Sequence, residues 1–264
     1  TNRRQITYDI ASVYGKQKNW AKAIETYKSL YKLSVKEKAE QRVILSLKLA
    51  HLINTLYESE GTTASKLYIE KGIQVYNTLN QNQKNKVKSS FAELLFLLAE
   101  YDYREFRDYK LISYPQAKLQ KTLIRKAELQ QKAEQAFQKI LKVSFIPTNV
   151  KVLARFSDMY QLFADTLTQL PVPHEIKAFP DEVEAYQIYI EEKILPLEEK
   201  SITSAQTALE LARKYRIYDE WSAKAVKKLL KLQPNLYPIN GSQVLNTDWI
   251  APSIDHSLLK QNYL

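Results

Sequence analysis

The chain has 264 residues and a formal net charge of +10, with 45% hydrophobic and 26% charged residues, which is typical of a folded globular protein rather than a disordered one. It contains no cysteine, so disulfides and thiolate metal sites are excluded. Only four glycines and nine prolines punctuate it, too few for an all-β or α/β chain, and no apolar run approaches the roughly 18 residues that cross a bilayer.

The N-terminal stretch predicts two amphipathic helices, over residues 4–16 and 20–33, joined by a short turn. In the second helix Ala23 is a small residue where two helices can cross closely. Tyr27 and Leu30 follow it at i+4 and i+7 on the same face. We call such a set a crossing triplet. A pair of this kind cannot bury its apolar face alone, so we expect other helices stacked on it.

The middle of the chain predicts longer helices separated by polar or proline-containing breaks. The first of them is apolar over more than half of its circumference, so we expect it to be packed on two sides. The polar stretch 80–86 is predicted to be a loop. Pro115 separates two long helices, and Pro147 with Thr148 is expected to cap the next one. The predicted helices cover residues 40–57, 87–110, 116–143 and 149–170.

The C-terminal third begins with a proline-rich segment, residues 171–180, predicted to be an extended loop. Asp181 starts a helix that Pro196 is expected to kink or split. The last stretch, residues 234–264, has no sustained periodicity and is predicted to be an irregular tail. Two more helices are predicted over residues 197–214 and 219–232.

Crossing triplets recur along the chain. They begin at Ala23, Gly72, Ala133 and Ala225, so their intervals are uneven and longer than the roughly 34-residue period of regular helical repeats. This pattern predicts an all-α fold, an irregular α-solenoid of stacked antiparallel helix pairs. The predicted organisation is repeats over residues 1–170, further repeats of the same solenoid over 171–233, and the tail over 234–264.

A row of cations follows the predicted helix 116–143. Over about 40 Å it forms a basic stripe, which suits either a polyanion or the solvated back of a long helix. The solvated back is favoured, because the only aromatic residue of this helix, Phe137, belongs to a crossing triplet. The net charge likewise favours a solubilising excess over a specific polyanion site. The basic stripe consists of Lys118, Lys121, Arg125, Lys132, Lys139 and Lys142.

A second candidate surface lies at the end of the predicted helix 87–110, where aromatic and charged residues alternate. Tyrosine and arginine are frequent in binding hot spots, so this patch predicts a protein or peptide contact, balanced evenly against simple packing between helices. The patch is formed by Tyr101, Tyr103, Arg104, Arg107 and Tyr109, with Tyr114 beyond them.

Opposite charges collect in the C-terminal third. An acidic stretch over residues 181–199 stands against a basic group around residues 213–231. The two can pair with each other or with a neighbouring molecule. Pairing within the chain is the favoured interpretation, and exposed ion pairs of this kind contribute at most about 1 kcal/mol.

The inventory for catalysis is thin. His51, His174 and His256 lie on separate predicted elements, and no glycine-rich phosphate loop or serine-centred elbow is present. The sequence therefore predicts a protein that is not an enzyme and has no cofactor or metal site.

The stretch YDIASVYGKQKNWAKAIETYKSLYKL, residues 8–33, resembles one tetratricopeptide repeat. Lys18 stands where the family usually has its turn glycine, and Leu30 is larger than the usual alanine. Family members bind peptides on the concave face of their first helices, and members that clamp chaperone tails use Lys and Asn where this chain has Tyr8 and Ser12. The resemblance implies a peptide-binding face at Gln5, Tyr8, Ser12 and Lys16; the repeat itself rests on Ile10, Ala11, Tyr14, Ala23, Tyr27 and Leu30.

The stretch TALELARKYRIYDEWSAKAVKKLLKLQPNLYP, residues 207–238, resembles the ending of large tetratricopeptide proteins of gliding and predatory deltaproteobacteria. Those proteins are envelope scaffolds, so this resemblance implies a periplasmic location, while the residues themselves leave the cytoplasm open. Because Thr1 takes the place of an initiator Met, we expect a trimmed or mature form in which a signal or anchor segment would not be visible.

These observations together predict a non-catalytic scaffold or adaptor that binds a protein or peptide, acidic in character, as a module of a larger bacterial envelope assembly. The alternative is a solenoid that binds nucleic acid or an anionic cell-envelope polymer through the basic stripe. Affinity that falls steeply with salt would favour the alternative.

Overall fold

The computed structural model describes residues 2–34, 39–56, 62–112 and 115–235, and in these ranges it is helical, with no strand. The prediction of an all-α fold is confirmed for this part of the chain. Nearly all of the predicted tail and Tyr114 lie outside the described residues. The helices are α1 Asn2–Lys16, α2 Trp20–Ser34, α3 Ala39–Leu56, α4 Thr62–Thr78, α5 Gln81–Lys86, α6 Lys88–Asp108, α7 Gln116–Leu141, α8 Ile146–Thr168, α9 Pro180–Tyr215 and α10 Glu220–Leu232.

The chain divides into two compact units, Thr1–Thr148 and Asn149–Leu264. In the first unit helices that follow one another along the chain pack together: α1 on α2, α2 on α3, α3 on α4, and α6 on α7. The division falls in the first turn of α8 rather than in the proline-rich loop after residue 170. The continuity of one solenoid through both units stays a prediction.

Helix α3 is packed on two sides, as its apolar circumference predicts. Leu45, Leu49 and Ile53 join a cluster with residues of α1 and α2, whereas Val43 and Ala50 join a second cluster with residues of α4 and α6. Contacts on both sides explain why α3 is apolar over more than half of its circumference, and only a narrow side with Gln41, Lys48, His51 and Thr55 is exposed. The helix thereby links two layers of the first unit.

The crossing triplets mark buried helix faces. Ala23, Ala133 and Ala225 are fully or almost fully buried. Gly72 lies at a close approach of helices, because a Cβ atom there would lie 2.7 Å from both Leu94 Cδ1 and Ser46 Cβ. The absence of a side chain on α4 therefore lets it lie against α3 and α6.

In the turn between α1 and α2, Lys18 stands at the position where the tetratricopeptide family usually has a glycine. Lys18 has φ of 58°, the left-handed conformation that glycine adopts with the least strain. The backbone N–H of Asn19 donates to the carbonyl of Tyr14 at 2.9 Å and closes the turn. The turn thus keeps a glycine-like shape with lysine in its place.

The predicted loop over 80–86 is wrong, since residues Gln81–Lys86 form helix α5. Asn80 is its N-cap: the Asn80 side chain accepts from the Gln83 backbone N–H at 2.9 Å, and the Gln83 side chain accepts from the Asn80 N–H at 3.1 Å. This reciprocal capping box stabilises the short helix. The stretch is entirely polar and has no apolar periodicity, so the sequence predicts a loop there.

Three prolines also behave differently from the prediction. Pro147 and Thr148 lie inside the first turn of α8, where proline is tolerated because its missing N–H has no helical partner, and they do not precede the helix. Pro180 is the first residue of α9. The predicted split at Pro196 is wrong, since α9 continues through it as one helix of 36 residues, and the alternative of a kink there stays a prediction. Pro196 is exposed, so water can bond the carbonyl that loses its partner.

The second unit has a small core of its own, formed where α9 and α10 pack together through Ala205, Leu209 and Leu229. The Asp219 side chain caps α10 by accepting from the N–H groups of residues 221 and 222. Among the described helices none is both long and apolar enough to cross a membrane.

Candidate functional site

An open groove of about 480 Å³ lies between the segment that follows α6 and the N-terminal half of α7. It joins residues from both surfaces that the sequence singles out, the aromatic patch and the basic stripe. Its lining residues are Tyr109, Ile112, Lys118, Lys121, Thr122, Ile124, Arg125 and Glu128.

The wall formed by residues 109–112 is fixed to α7 by two side chains. The Lys126 ammonium donates to the carbonyl oxygens of Tyr109 at 2.8 Å and Phe106 at 3.2 Å. The Thr122 Oγ1 accepts from the backbone N–H of Ile112 at 3.2 Å. The Lys126 bonds satisfy carbonyls at the C-terminal end of α6, where a cation also interacts favourably with the helix dipole, and the Thr122 bond satisfies the N–H of Ile112.

Lys126 has a structural role rather than a place in the groove. Its residue is only 4% exposed, and its Nζ lies 5.0 Å from the centre of the Phe106 ring. Burial lowers the pKa of its ammonium, partly offset by the negative charge of Asp108. Because its hydrogen bonds go to the carbonyls of Phe106 and Tyr109, the cation holds the wall in place and does not line the groove.

The groove combines an apolar surface with a positive rim. Ile112 is 49% and Ile124 62% exposed, which is high because isoleucine is usually buried in folded proteins. Lys118 and Lys121 are exposed, and neither forms an ion pair within the described ranges. Arg125 is partly neutralised, since it contacts Glu128 at 2.9 Å and, more distantly, Glu105 at 3.8 Å. The free positive charge therefore lies at the two lysines.

The basic stripe is interrupted in its middle. The Lys132 ammonium contacts Asp102 and Glu105 of α6, each at 2.9 Å, and these hydrogen bonds raise its pKa. Together with the Arg125 pairs, they neutralise the centre of the stripe through the packing of α6 on α7. Lys139 and Lys142 remain exposed beyond that centre. Within the described ranges, the stripe thus falls into two separated pairs of cations that form no ion pair, Lys118 with Lys121 and Lys139 with Lys142.

The predicted aromatic patch is divided among different surroundings. Tyr103 is only 5% exposed and lies 6.3 Å, between ring centres, from Phe106, so it belongs to the core. The Tyr101 hydroxyl bonds Ser65, and the Arg104 guanidinium lies 5.4 Å from the Tyr101 ring centre.

The two remaining members lie at the end of α6. Arg107 is exposed and paired with the adjacent Asp108 at 2.8 Å. The hydrogen bond from Arg107 lowers the pKa of that carboxyl group. Tyr109 is half-buried and, among the members of the patch that the structure describes, it alone lines the groove.

The face of α1 implied by the tetratricopeptide resemblance is partly occupied by packing within the chain. Tyr8 makes an edge-on contact with Tyr27 at 5.4 Å between ring centres, and burial raises the pKa of both hydroxyls, that of Tyr27 to about 12. Gln5 is exposed and donates to Asp9 at 2.9 Å. Ser12 is half-buried, and Lys16 is exposed.

A different side of α1 carries exposed apolar side chains. Ile6, Ile10 and Val13 line a second open groove of about 380 Å³, together with Tyr14, Asp9 and Gln17. Sequence reasoning missed this surface, and it also missed Ile112 and Ile124. A signal was available only for Ile124, which lies on the side of α7 opposite the crossing triplet Ala133, Phe137 and Ile140.

The described ranges contain no group of three or more His, Asp or Glu side chains that can hold a metal ion. No family model matches the sequence, and comparison with curated proteins finds no relative. Functional inference for this chain therefore depends on the geometry of its own surfaces.

Proposed function

We propose that the chain is a non-catalytic protein-interaction scaffold with a tetratricopeptide-like solenoid architecture. It binds an acidic, amphipathic segment of a partner protein in the groove beside α7. The observation that carries the proposal is the combination of two exposed isoleucines, Ile112 and Ile124, with two unpaired lysines, Lys118 and Lys121, around one concavity.

This combination suits a peptide better than a small polar ligand. A helix or extended segment that inserts one or two apolar side chains removes the isoleucines from water, at roughly 25 cal/mol per Å² of buried apolar area. Carboxylates of the same segment meet Lys118 and Lys121 at the rim, which fixes its orientation and excludes basic partners. The wall held by Lys126 and Thr122 is already in place, so less ordering is needed on binding.

The solenoid part of the proposal rests on the successive packing of helices in the first unit and on the burial of the crossing triplets. Its neighbouring helix pairs provide a rigid base for a groove between elements. A place in a bacterial envelope assembly rests on the resemblance of residues 207–238.

The alternative, a polyanion site along the basic stripe, has less support. A continuous row of phosphates needs a continuous row of free cations. Arg125 and Lys132 both contact carboxylates of the same chain. A polyanion would have to displace these pairs before it could follow the stripe.

A binding titration tests the proposal. The probe is a fluorescent, acidic, amphipathic peptide of about 20 residues, titrated with the full chain at several salt concentrations. Ile124→Ser is expected to weaken binding about tenfold, since it removes an apolar contact worth on the order of 1.4 kcal/mol. Ile10→Ser, at an exposed isoleucine of α1, is the matched control and is expected to leave binding unchanged.

The salt dependence separates the groove from the stripe. With two free lysines the logarithm of affinity is expected to fall gently with the logarithm of salt, whereas engagement of all six stripe cations by a single-stranded polyanion would give a slope of about −4. An affinity for the peptide that is unchanged by Ile124→Ser would refute the groove as the peptide site.

A further inference from the structure

The N-terminal half of α9 carries an exposed apolar surface of its own. Ile188 is 51% and Leu195 52% exposed. They are seven residues apart, so they lie on one side of the helix with about 10 Å between them along its axis. Glu184 and Glu191 lie on the same side, at i−4 and i+3 from Ile188. We call these four residues the acidic α9 face.

The carboxylates of the acidic α9 face have no partner in the described part of the chain. Glu184 and Glu191 are exposed and form no ion pair there. Two residues of the nearby basic group pair with other acids instead: Lys228 with Asp158 at 3.0 Å and Lys224 with Glu220 at 4.0 Å. For these residues, the expectation that the acidic stretch is screened within the chain is not met.

The groove beside α7 has the complementary arrangement. Lys118, Lys121 and Arg125 follow one another at i, i+3 and i+7, so they also span about 10 Å along one side of a helix. Exposed isoleucines accompany the cations there, as Ile188 and Leu195 accompany the carboxylates on α9. The two surfaces are opposite in charge sign and alike in apolar character and in length.

We propose that the acidic α9 face of a second copy of this chain docks into the groove beside α7. The inference rests on the proposed function of the groove and names its partner. Apolar side chains from both copies leave water together, and Glu184 and Glu191 meet Lys118 and Lys121.

The groove beside α1, lined by Ile6, Ile10 and Val13, is a poorer receptor for the acidic α9 face. Asp9 lies within it, and its side chain bonds only the neutral Gln5 among the described residues, so an acidic helix would meet an uncompensated carboxylate. In the groove beside α7 the corresponding carboxylate, Glu128, is neutralised by Arg125 at 2.9 Å. The distribution of charge therefore favours the groove beside α7 over the surface of α1 as the receptor for the acidic α9 face.

The contact joins two different surfaces, so each copy carries one groove and one acidic face. Contacts of this heterologous type extend into open chains or close into rings, in contrast to a two-fold contact of one surface with itself. A scaffold that assembles in this way presents its other surfaces repeatedly, as assembly proteins do.

Charge reversal on each side tests the pairing. The groove variant is Lys118→Glu with Lys121→Glu, and the face variant is Glu184→Lys with Glu191→Lys. Self-association of the full chain is measured by sedimentation velocity over a range of concentrations. Lys139→Glu with Lys142→Glu, exposed at the other end of the stripe, is the matched control for net charge.

Each reversed variant alone is expected to associate at least about tenfold more weakly than the wild type, because attraction becomes repulsion at two positions. An equimolar mixture of the two variants is expected to associate again, since the unchanged face of the groove variant meets the unchanged groove of the face variant, and the reversed groove meets the reversed face. The control variant is expected to associate like the wild type.

Three outcomes overturn the inference: a wild-type chain that stays monomeric, reversed variants that associate normally, or a mixture that fails to recover. Helical circular dichroism confirms folding, and the milder pairs Lys118→Gln with Lys121→Gln and Glu184→Gln with Glu191→Gln replace any variant that does not fold. A wild-type chain that does not self-associate but binds the acidic peptide in an Ile124-dependent way refutes only this inference. A wild-type chain that does not bind the acidic peptide refutes the proposed function itself.

Discussion

Three lysines of α7 show how one residue type takes three roles within a few helical turns. Lys126 is buried and bonds carbonyls at the end of α6, Lys132 pairs with two carboxylates, and Lys121 remains free at the rim of the groove. The sequence places Lys121 and Lys132 in one basic stripe and does not single out Lys126. Their roles follow from what α6 places opposite each of them, which a single helix does not reveal.

The contact between Tyr8 and Tyr27 makes the stability of the first unit depend on alkaline pH. Burial is the main cause that raises the pKa of Tyr27 from 10.0 to about 12. Between these pH values the folded state therefore keeps a proton that an unfolded tyrosine loses. The contribution to stability is complete below pH 10 and is lost as the pH rises through about 12.

We expect the free energy of unfolding, measured in urea by helical circular dichroism, to decrease over this alkaline interval. In Tyr27→Phe the decrease should be smaller by about 1 kcal/mol, because that titration is removed. The exposed Tyr215→Phe is the control and should keep the wild-type dependence. An equal alkaline decrease in Tyr27→Phe would show that Tyr27 titrates alike in both states.

At the level of helices, periodicity predicts most of the fold of the described ranges. The helices over residues 4–16, 20–33 and 116–143 appear within a few residues of their expected bounds, and the triplet residues are largely buried. The failures are local. Helix α5 depends on one capping box, and α9 continues through Pro196 because that proline faces solvent. Neither feature changes hydrophobic spacing, which is the signal that the prediction used.

Gly72 and Gly15 offer opposite tests of helix packing. Alanine normally stabilises a helix relative to glycine by up to about 1 kcal/mol. At Gly72 the new Cβ would lie 2.7 Å from Ser46 Cβ, which is attached directly to the backbone of α3 and cannot rotate away. We therefore expect Gly72→Ala to lower the free energy of unfolding by about 1–3 kcal/mol, as overpacking does.

Gly15→Ala is the matched control on α1, where no atom lies within 4 Å of the added Cβ. It should raise the free energy of unfolding by about 0.5 kcal/mol in the same urea titration. If both substitutions stabilised the chain equally, α4 would not approach α3 and α6 as closely as the structure shows.

The candidate site was only half predictable at the level of the whole molecule. Lys118, Lys121, Arg125 and Tyr109 were all singled out, but as members of two separate surfaces. Their union depends on a non-helical segment, residues 109–112, held back onto α7 by hydrogen bonds from side chains. Spacing within a helix carries no information about such a return of the chain, so the exposed isoleucines that complete the groove went unrecognised.

The net charge of +10 makes weak binding to any polyanion at low salt expected, whatever the arrangement of the cations. If bulk charge is responsible, two variants that remove equal charge at different places should lose equal affinity. Lys132→Gln with Lys139→Gln removes two cations of the basic stripe. Lys227→Gln with Lys231→Gln removes two exposed cations of α10.

We expect both variants to weaken binding of a mixed-sequence single-stranded DNA by the same factor, within about twofold, in fluorescence anisotropy titrations at matched low salt. The reason is that Lys132 already pairs with Asp102 and Glu105, so its charge is not available for a specific contact with DNA phosphates. Both variants then weaken binding only through the loss of two units of net charge. A loss at least about tenfold greater for the stripe variant would restore the stripe as a polyanion site. Equal losses would favour the groove, where Lys118 and Lys121 accompany exposed isoleucines, over the stripe as the binding surface.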